Sequence, residues 1–193
     1  SLTDDGVQII DLSGLGVPSS SPPFSGILAR DAETDGENSF TELSGARGVA
    51  TYTIASATAS ALSLTSTNYA IVAGFSDDGV QIIDIGVPTA IVAKDAETDN
   101  VNGFDELVGA RGVATFTIGS STYAIVADDD SGVQIIDITN PTNIVAIYSV
   151  TDGENGFTEL DGARNVSMIT IGGVEFAIVT ANIDDGVQII DIS

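Results

Sequence analysis

Apolar positions in this chain come in short runs separated by acidic, glycine-containing breaks, and the runs repeat. The phrase Asp5-Gly6-Val7-Gln8-Ile9-Ile10-Asp11-Leu12 returns as Asp78 to Ile85, as Ser131 to Ile138 and as Asp185 to Ile192. Three further signals recur between its copies. They are an apolar run (Ile27-Leu28-Ala29, Ile91-Val92-Ala93, Ile144-Val145-Ala146), a Gly-Ala-Arg step (Gly45-Ala46-Arg47, Gly109-Ala110-Arg111, Gly162-Ala163-Arg164), and a second apolar run (Tyr69 to Val72, Tyr123 to Val126, Phe176 to Val179). A unit copied this closely cannot bury its apolar faces alone and must stack on its neighbours.

The runs have the length and composition of strands. In the last unit, Thr142 to Val150 is rich in β-branched residues, and Asn165 to Ile171 alternates around Val166 and Met168. Val174 to Thr180 is nearly continuous and predicts a strand buried on both faces. Val187 to Ile192 opens after Asp-Asp-Gly, a hairpin-type turn in which glycine is expected to supply the positive φ. The one helix candidate is a single turn at Phe40 to Leu43, Phe104 to Leu107 and Phe157 to Leu160.

From Gly79 to Gly132 is 53 residues and from Gly132 to Gly186 is 54, but from Gly6 to Gly79 is 73. The excess falls in Ser13 to Ser25 and Ala55 to Asn68, both of loop composition. The chain therefore reads as one repeat domain, 1–193, with a leading strand over 1–12 and units over about 13–85, 86–138 and 139–193. Its fold class is all-β: a β-propeller-like repeat array of about three four-stranded antiparallel blades plus one extra N-terminal strand.

The run Tyr-Ala-Ile-Val-Ala, an acidic turn, Gly-Val-Gln-Ile-Ile-Asp-Ile and the connection Asn140-Pro141-Thr142 together resemble the LVIVD-repeat family. That resemblance covers all three units. It implies a propeller-like fold on an exported protein and brings no catalytic residues. The period here is longer than the family's, through the acidic Asp-Gly-Glu-Asn-Gly-Phe-type insert. Three blades do not close a normal ring, so three outcomes stay open: a piece of a longer array, a ring completed by a second chain, or a filament built by strand addition at an open edge.

Charge narrows the partners. Twenty-eight acidic residues face five basic ones, a formal net charge of −23. Nucleic acid and anionic membrane surfaces need clustered Lys and Arg and are disfavoured as partners. No apolar stretch has the length of a membrane helix, so membrane insertion is not expected. Other copies of the chain, or other surface proteins, are the expected partners. Low lysine with abundant Ser, Thr, Asp and Gly places the chain outside the cell or on its surface. It opens inside a repeat phrase, so a processed or omitted N-terminal segment is expected.

Asp31, Glu33, Asp35, Gly36 and Glu42 occupy positions 1, 3, 5, 6 and 12 of an EF-hand loop, the ligand order for Ca2+. The second unit repeats it with Asp95, Glu97, Asp99 and Glu106, and with Asn100 at the glycine position. The third has Tyr148 and Val150 at the first two positions. Calcium at the first two loops is the expected cofactor, set against the plainer reading of a solvated acidic face. The acids before each closing strand (Asp77-Asp78, Asp128 to Asp130, Asp184-Asp185) are explained by turn formation. Arg47, Arg111 and Arg164 read either as an anion-binding ring or, preferably, as internal ion pairs with Glu42, Glu106 and Glu159.

The chain has neither histidine nor cysteine. The commonest general base and zinc ligand are missing, and carboxylates repeated in every unit do not make a unique catalytic pair. The sequence therefore points to a non-catalytic surface, adhesion or assembly module. The alternatives are a self-polymerising subunit of a filament or surface layer and, behind it, a calcium-dependent glycan hydrolase.

Overall fold

A computed structural model of the chain describes residues 5–12, 28–57 and 64–192. The predicted insert Ser13 to Ser25 lies outside them. Thirteen antiparallel strands and no helix are present among the described residues: β1 (Gly6–Asp11), β2 (Leu28–Thr34), β3 (Ala46–Ala57), β4 (Leu64–Gly74), β5 (Gly79–Asp84), β6 (Val92–Thr98), β7 (Ala110–Ile118), β8 (Ser121–Asp128), β9 (Gly132–Asp137), β10 (Val145–Thr151), β11 (Ala163–Ile171), β12 (Val174–Ala181) and β13 (Gly186–Asp191). They form four sheets in the orders β1-β2, β3-β4-β5-β6, β7-β8-β9-β10 and β11-β12-β13. The fold is thus all-β, with propeller-like blades.

The sheets are out of phase with the units read from the sequence. Each complete sheet starts on the Ala-Arg strand, passes through the Tyr-Ala-Ile-Val strand and the Gly-Val-Gln-Ile-Ile-Asp strand, and ends on the strand that opens the next unit. We call these positions a, b, c and d. The first sheet supplies only c and d, the last only a, b and c. The 55–68 insert is less of a loop than its composition predicts: β3 runs to Ala57 and β4 begins at Leu64, paired from Ala57↔Leu64 onward, with Thr53 Oγ1 donating to Asn68 Oδ1 at 2.8 Å.

Alternation along the strands gives every sheet two apolar faces, and neighbouring sheets share them. Ile71, Val80 and Ile82 of the second sheet pack with Val113, Val126, Ile136 and the loop residues Phe104 and Leu107 of the third. Ile125, Val133 and Phe116 of the third pack with Val166, Val179, Ile190 and Leu160 of the fourth. Val7 and Ile9 of the first pack on Phe40, Leu43, Val72 and Ile83. β4 and β8 are accordingly buried on both faces, as predicted for this run. β12 is less so among the described residues: Ala177 and Val179 are buried, whereas Phe176 and Ile178 are half-buried.

Two local expectations change. Phe40 to Leu43 and its copies form no helical turn. Their N–H groups are taken by side chains instead: Thr41 N donates to Gln81 Oε1 at 3.0 Å and Leu43 N to Asp35 Oδ1 at 3.0 Å, and the pattern recurs at Asp105 and Leu107. In the Asp-Asp-Gly turns the positive φ belongs to the second aspartate, Asp78 (φ 55°) and Asp185 (φ 54°), not to the glycine. Aspartate tolerates that region better than most residues. The glycine is needed for space. A methyl on Gly79, Gly132 or Gly186 would run into the carboxylate of Glu42, Glu106 or Glu159.

Candidate functional site: acidic loops, arginines and open terminal sheets

The eight carboxylates of the expected calcium loops are dispersed. Asp31 and Glu33 lie on β2, and Asp95 and Glu97 on β6, in extended backbone that does not wrap a central point. Each has its own protein donor. Asp31 accepts from Ile91 N (2.8 Å) and Asp95 from Ile144 N (2.7 Å), which ties each d strand to the following connection. Glu33 accepts from Asn38 Nδ2 (2.8 Å) and Glu97 from Asn102 Nδ2 (3.0 Å). Asp35 and Asp99 accept from Leu43 N and Leu107 N. Glu42 Oε1 accepts from Thr98 Oγ1 at 2.8 Å, and Glu106 Oε1 accepts from Thr151 Oγ1. Among the described residues no group of three or more Asp, Glu, His or Cys side chains is placed to hold a metal ion. The EF-hand ligand order is thus present along the chain but is not gathered into a cage.

Burial changes the acid–base character of two of these groups, Glu42 and Glu106, and of Asp128 beside Glu106. Glu42 is pushed up to about 7, first by desolvation and then by the charges of Asp77, Asp35 and Asp78, against the lowering bond from Thr98. Asp128, 1% exposed, ends β8 where the second sheet has Gly74 and the fourth has Ala181. It is pushed up to about 8 by desolvation and by its contact with Glu106, and Glu106 is itself raised, again chiefly by burial. Both carboxyls are held up chiefly by desolvation, in the interior, where a bulky substrate has no access.

The arginines do not pair with Glu42, Glu106 and Glu159. Arg111 pairs with Asp129, Nη2 donating to Oδ2 at 2.7 Å and Nε lying 2.6 Å from Oδ1 as an ion-pair contact, and Arg164 approaches the same carboxylate at 3.7 Å. Arg47 and Arg111 flank the ring of Phe75, with centroid distances of 4.2 and 4.5 Å. The a strands crowd together here. A methyl on Gly48 would overlap the carbonyl oxygen of Arg111, and one on Gly112 would sit 2.7 Å from that of Arg164. The third a strand has Asn165 at this position. Arg111 thus has an internal partner, Asp129 in place of Glu106, whereas Arg47 meets the ring of Phe75 and Arg164 is half-exposed; the three arginines together line a cavity of about 300 Å³.

The glutamine of the repeated phrase carries a role that the sequence reading missed. Gln81 is buried. It accepts from Thr41 N and donates to the d-strand carbonyl of Asp95 at 2.8 Å. Gln134 does the same with Asp105 N and the carbonyl of Tyr148 (3.0 Å). Its strict return inside an otherwise apolar phrase was the available signal.

Among the described residues, the first and fourth sheets carry exposed apolar side chains. Val187 and Ile189 of β13 are 55% and 61% exposed, whereas the same phrase puts Val80 and Ile82 at 0% and Val133 at 1%. At the other end Ile10, Leu12 and Leu28 are exposed, and a cavity of about 620 Å³ is lined by Ile9, Ile10, Leu12, Arg30 and Pro88. No helix among the described residues is long and apolar enough to cross a membrane. No protein-family model matches the chain, and no curated protein matches it.

Proposed function

We propose that this chain is a non-catalytic, exported repeat module that works in surface attachment, protein interaction or assembly through its terminal sheets. The carrying observation is the apolar face of β13, where Val187 and Ile189 are exposed among the described residues while Val80, Ile82 and Val133 are buried and Ile135 is half-buried. Repeat arrays need polar outer faces on their end units to stay apart. An apolar one is an interaction surface. The buried position of the Asp128 and Glu106 carboxyls and the structural use of the repeated acids support a role without catalysis. Export and kinship with LVIVD-type repeats rest on the residue pattern described above. Divalent cations enter this reading as counter-charge to a chain of formal net charge −23, not through a step that needs a bound ion.

A second reading, a self-polymerising subunit of a filament or surface layer, is favoured by the open edge of β13, whose one strand neighbour among the described residues is β12. Light scattering on a concentration series tests both. The wild type is expected to self-associate, and the double variant V187K/I189K to be monomeric with an unchanged β-type circular dichroism spectrum. A wild type that stays monomeric throughout overturns assembly.

A further inference from the structure

We propose that the three arginines at the start of the a strands form a binding site for a doubly charged tetrahedral oxyanion, a sulfate or phosphate group. The site lies among the second, third and fourth sheets and is independent of the assembly reading above.

Each arginine is the extra residue of a β-bulge. Pairing passes from Ala46↔Gly74 to Gly48↔Ala73, from Ala110↔Asp128 to Gly112↔Ala127 and from Ala163↔Ala181 to Asn165↔Thr180. Arg47, Arg111 and Arg164 are thereby left without a cross-strand partner. A bulge bends its strand and re-aims the side chain it carries. The residues after the first two arginines, Gly48 and Gly112, bring the three bulges together, because each lies where a Cβ would run into the backbone of the next arginine. The result is a cavity of about 300 Å³ lined by the three arginines, Val49, Val113 and Asn165. That volume is at the lower end for a small-molecule site.

Pairing within the protein does not use these cations up. Five basic residues serve the whole chain, and three of them meet here. Arg111 is held by Asp129, with Nη2 donating to Oδ2 at 2.7 Å. Arg164 reaches that carboxylate only at 3.7 Å, and its side chain is 44% exposed. Among the described residues Arg47 makes no ion pair, although the chain carries 28 acidic side chains. It lies over the ring of Phe75 instead. Stacking uses the face of a guanidinium and leaves the N–H donors around its rim available.

Three guanidiniums against one carboxylate leave two positive charges, which a dianion matches. Guanidinium forks meet the oxygens of such a group two at a time. Asn165 adds a neutral amide at the same place. It stands where the other two a strands have glycine, so the departure from the repeat sets a polar side chain at the cavity. One property opposes binding: the formal net charge of −23 repels anions at long range. At an ionic strength of about 0.15 M that repulsion is screened beyond about 8 Å, and the direct contacts decide.

Isothermal titration calorimetry of the full chain with sodium sulfate and with sodium phosphate, at that ionic strength made up with sodium chloride, tests the site. Saturable binding at one site per chain is expected. R47Q and R164Q should each weaken it about ten-fold, as for one lost charge-assisted hydrogen bond. R30Q, which removes the partner of Asp11 on the first sheet, should leave it unchanged. Circular dichroism and urea unfolding in chloride check that the variants fold as the wild type does. Acetate, with one charge, should bind at least about ten-fold more weakly than sulfate. Glucose 6-sulfate separates the sources of the group: tighter binding than inorganic sulfate identifies an ester on a larger molecule, and equal or weaker binding identifies the free ion. No saturable binding of either ion by the wild type, or binding that R47Q and R164Q leave unchanged, overturns the inference. Acetate binding as tightly as sulfate overturns it too. None of these outcomes bears on self-association.

Discussion

Replacing Asp128 by asparagine should change how stability depends on pH more than any surface substitution. Asp128 is buried beside Glu106, and its Oδ1 accepts from Asp130 N at 2.7 Å. Asparagine keeps that acceptor and supplies a permanent donor toward Glu106 without a titrating proton. In the wild type, burial raises the Asp128 carboxyl from 3.8 to about 8. The native state therefore holds a proton that the unfolded chain releases above about pH 4. Between these values the unfolded state binds fewer protons, so stability falls as pH rises, by about 1.4 kcal/mol per pH unit for one proton. Over the two units from pH 6 to pH 8, where the slope lessens as the carboxyl titrates, the loss is about 2 kcal/mol, and D128N is spared it. Urea unfolding of both chains at pH 6, 7 and 8, at fixed ionic strength, measures the difference. D128N is expected to gain on the wild type steadily across the series. Parallel curves would refute the claim that a proton is held at this pair.

The remaining predictions test packing and charge. Ile82→Ala should cost about 3 kcal/mol, the usual result of emptying a buried aliphatic site, whereas Ile189→Ala should change stability by less than about 0.5 kcal/mol in denaturant titrations of the monomer. Gly112→Ala should destabilise by about 2 kcal/mol or more, because the new methyl meets the backbone of the next sheet, while Asn165→Ala should be close to neutral; melting temperatures would show the contrast. Glu42→Gln should stabilise above about pH 7, where the wild-type carboxyl is ionised in a partly desolvated site, and lose that advantage as pH falls toward 4.5. Calcium and magnesium at equal ionic strength should raise the melting temperature alike, because the described carboxylates form no cage that would favour one of them; a calcium-specific rise reversed by a chelator would contradict this.

Much of the fold was legible because strand alternation and turn chemistry are local. The last unit's four strands were read to within a few residues. The phase of the repeat was not legible. A periodic sequence looks the same wherever the unit is taken to begin, and only backbone pairing shows that Val145–Thr151 belongs with β9 rather than with β11. The loop Phe40 to Leu43 was misread as a helical turn because its N–H partners, Gln81 and Asp35, are side chains, one of them forty residues away. The arginine partners failed for a related reason. Local carboxylates were the nearest in sequence, but the convergence of the a strands brings Arg111 to Asp129 and sets Arg47 and Arg111 about Phe75.

Four identical templates for the same neighbour pose a sorting problem while the chain is collapsing. β6 reaches its own template across seven intervening residues, Ile85 to Ile91, and any other only by closing a larger ring. Loop-closure entropy therefore favours the nearest match. β2 has the longest such tether, sixteen residues from Leu12 to Ile27, and so the weakest preference for its own. Refolding from denaturant at high protein concentration should accordingly go astray first at the amino-terminal end, and emergence of the chain from its first residue onward would suppress the error by offering one template at a time.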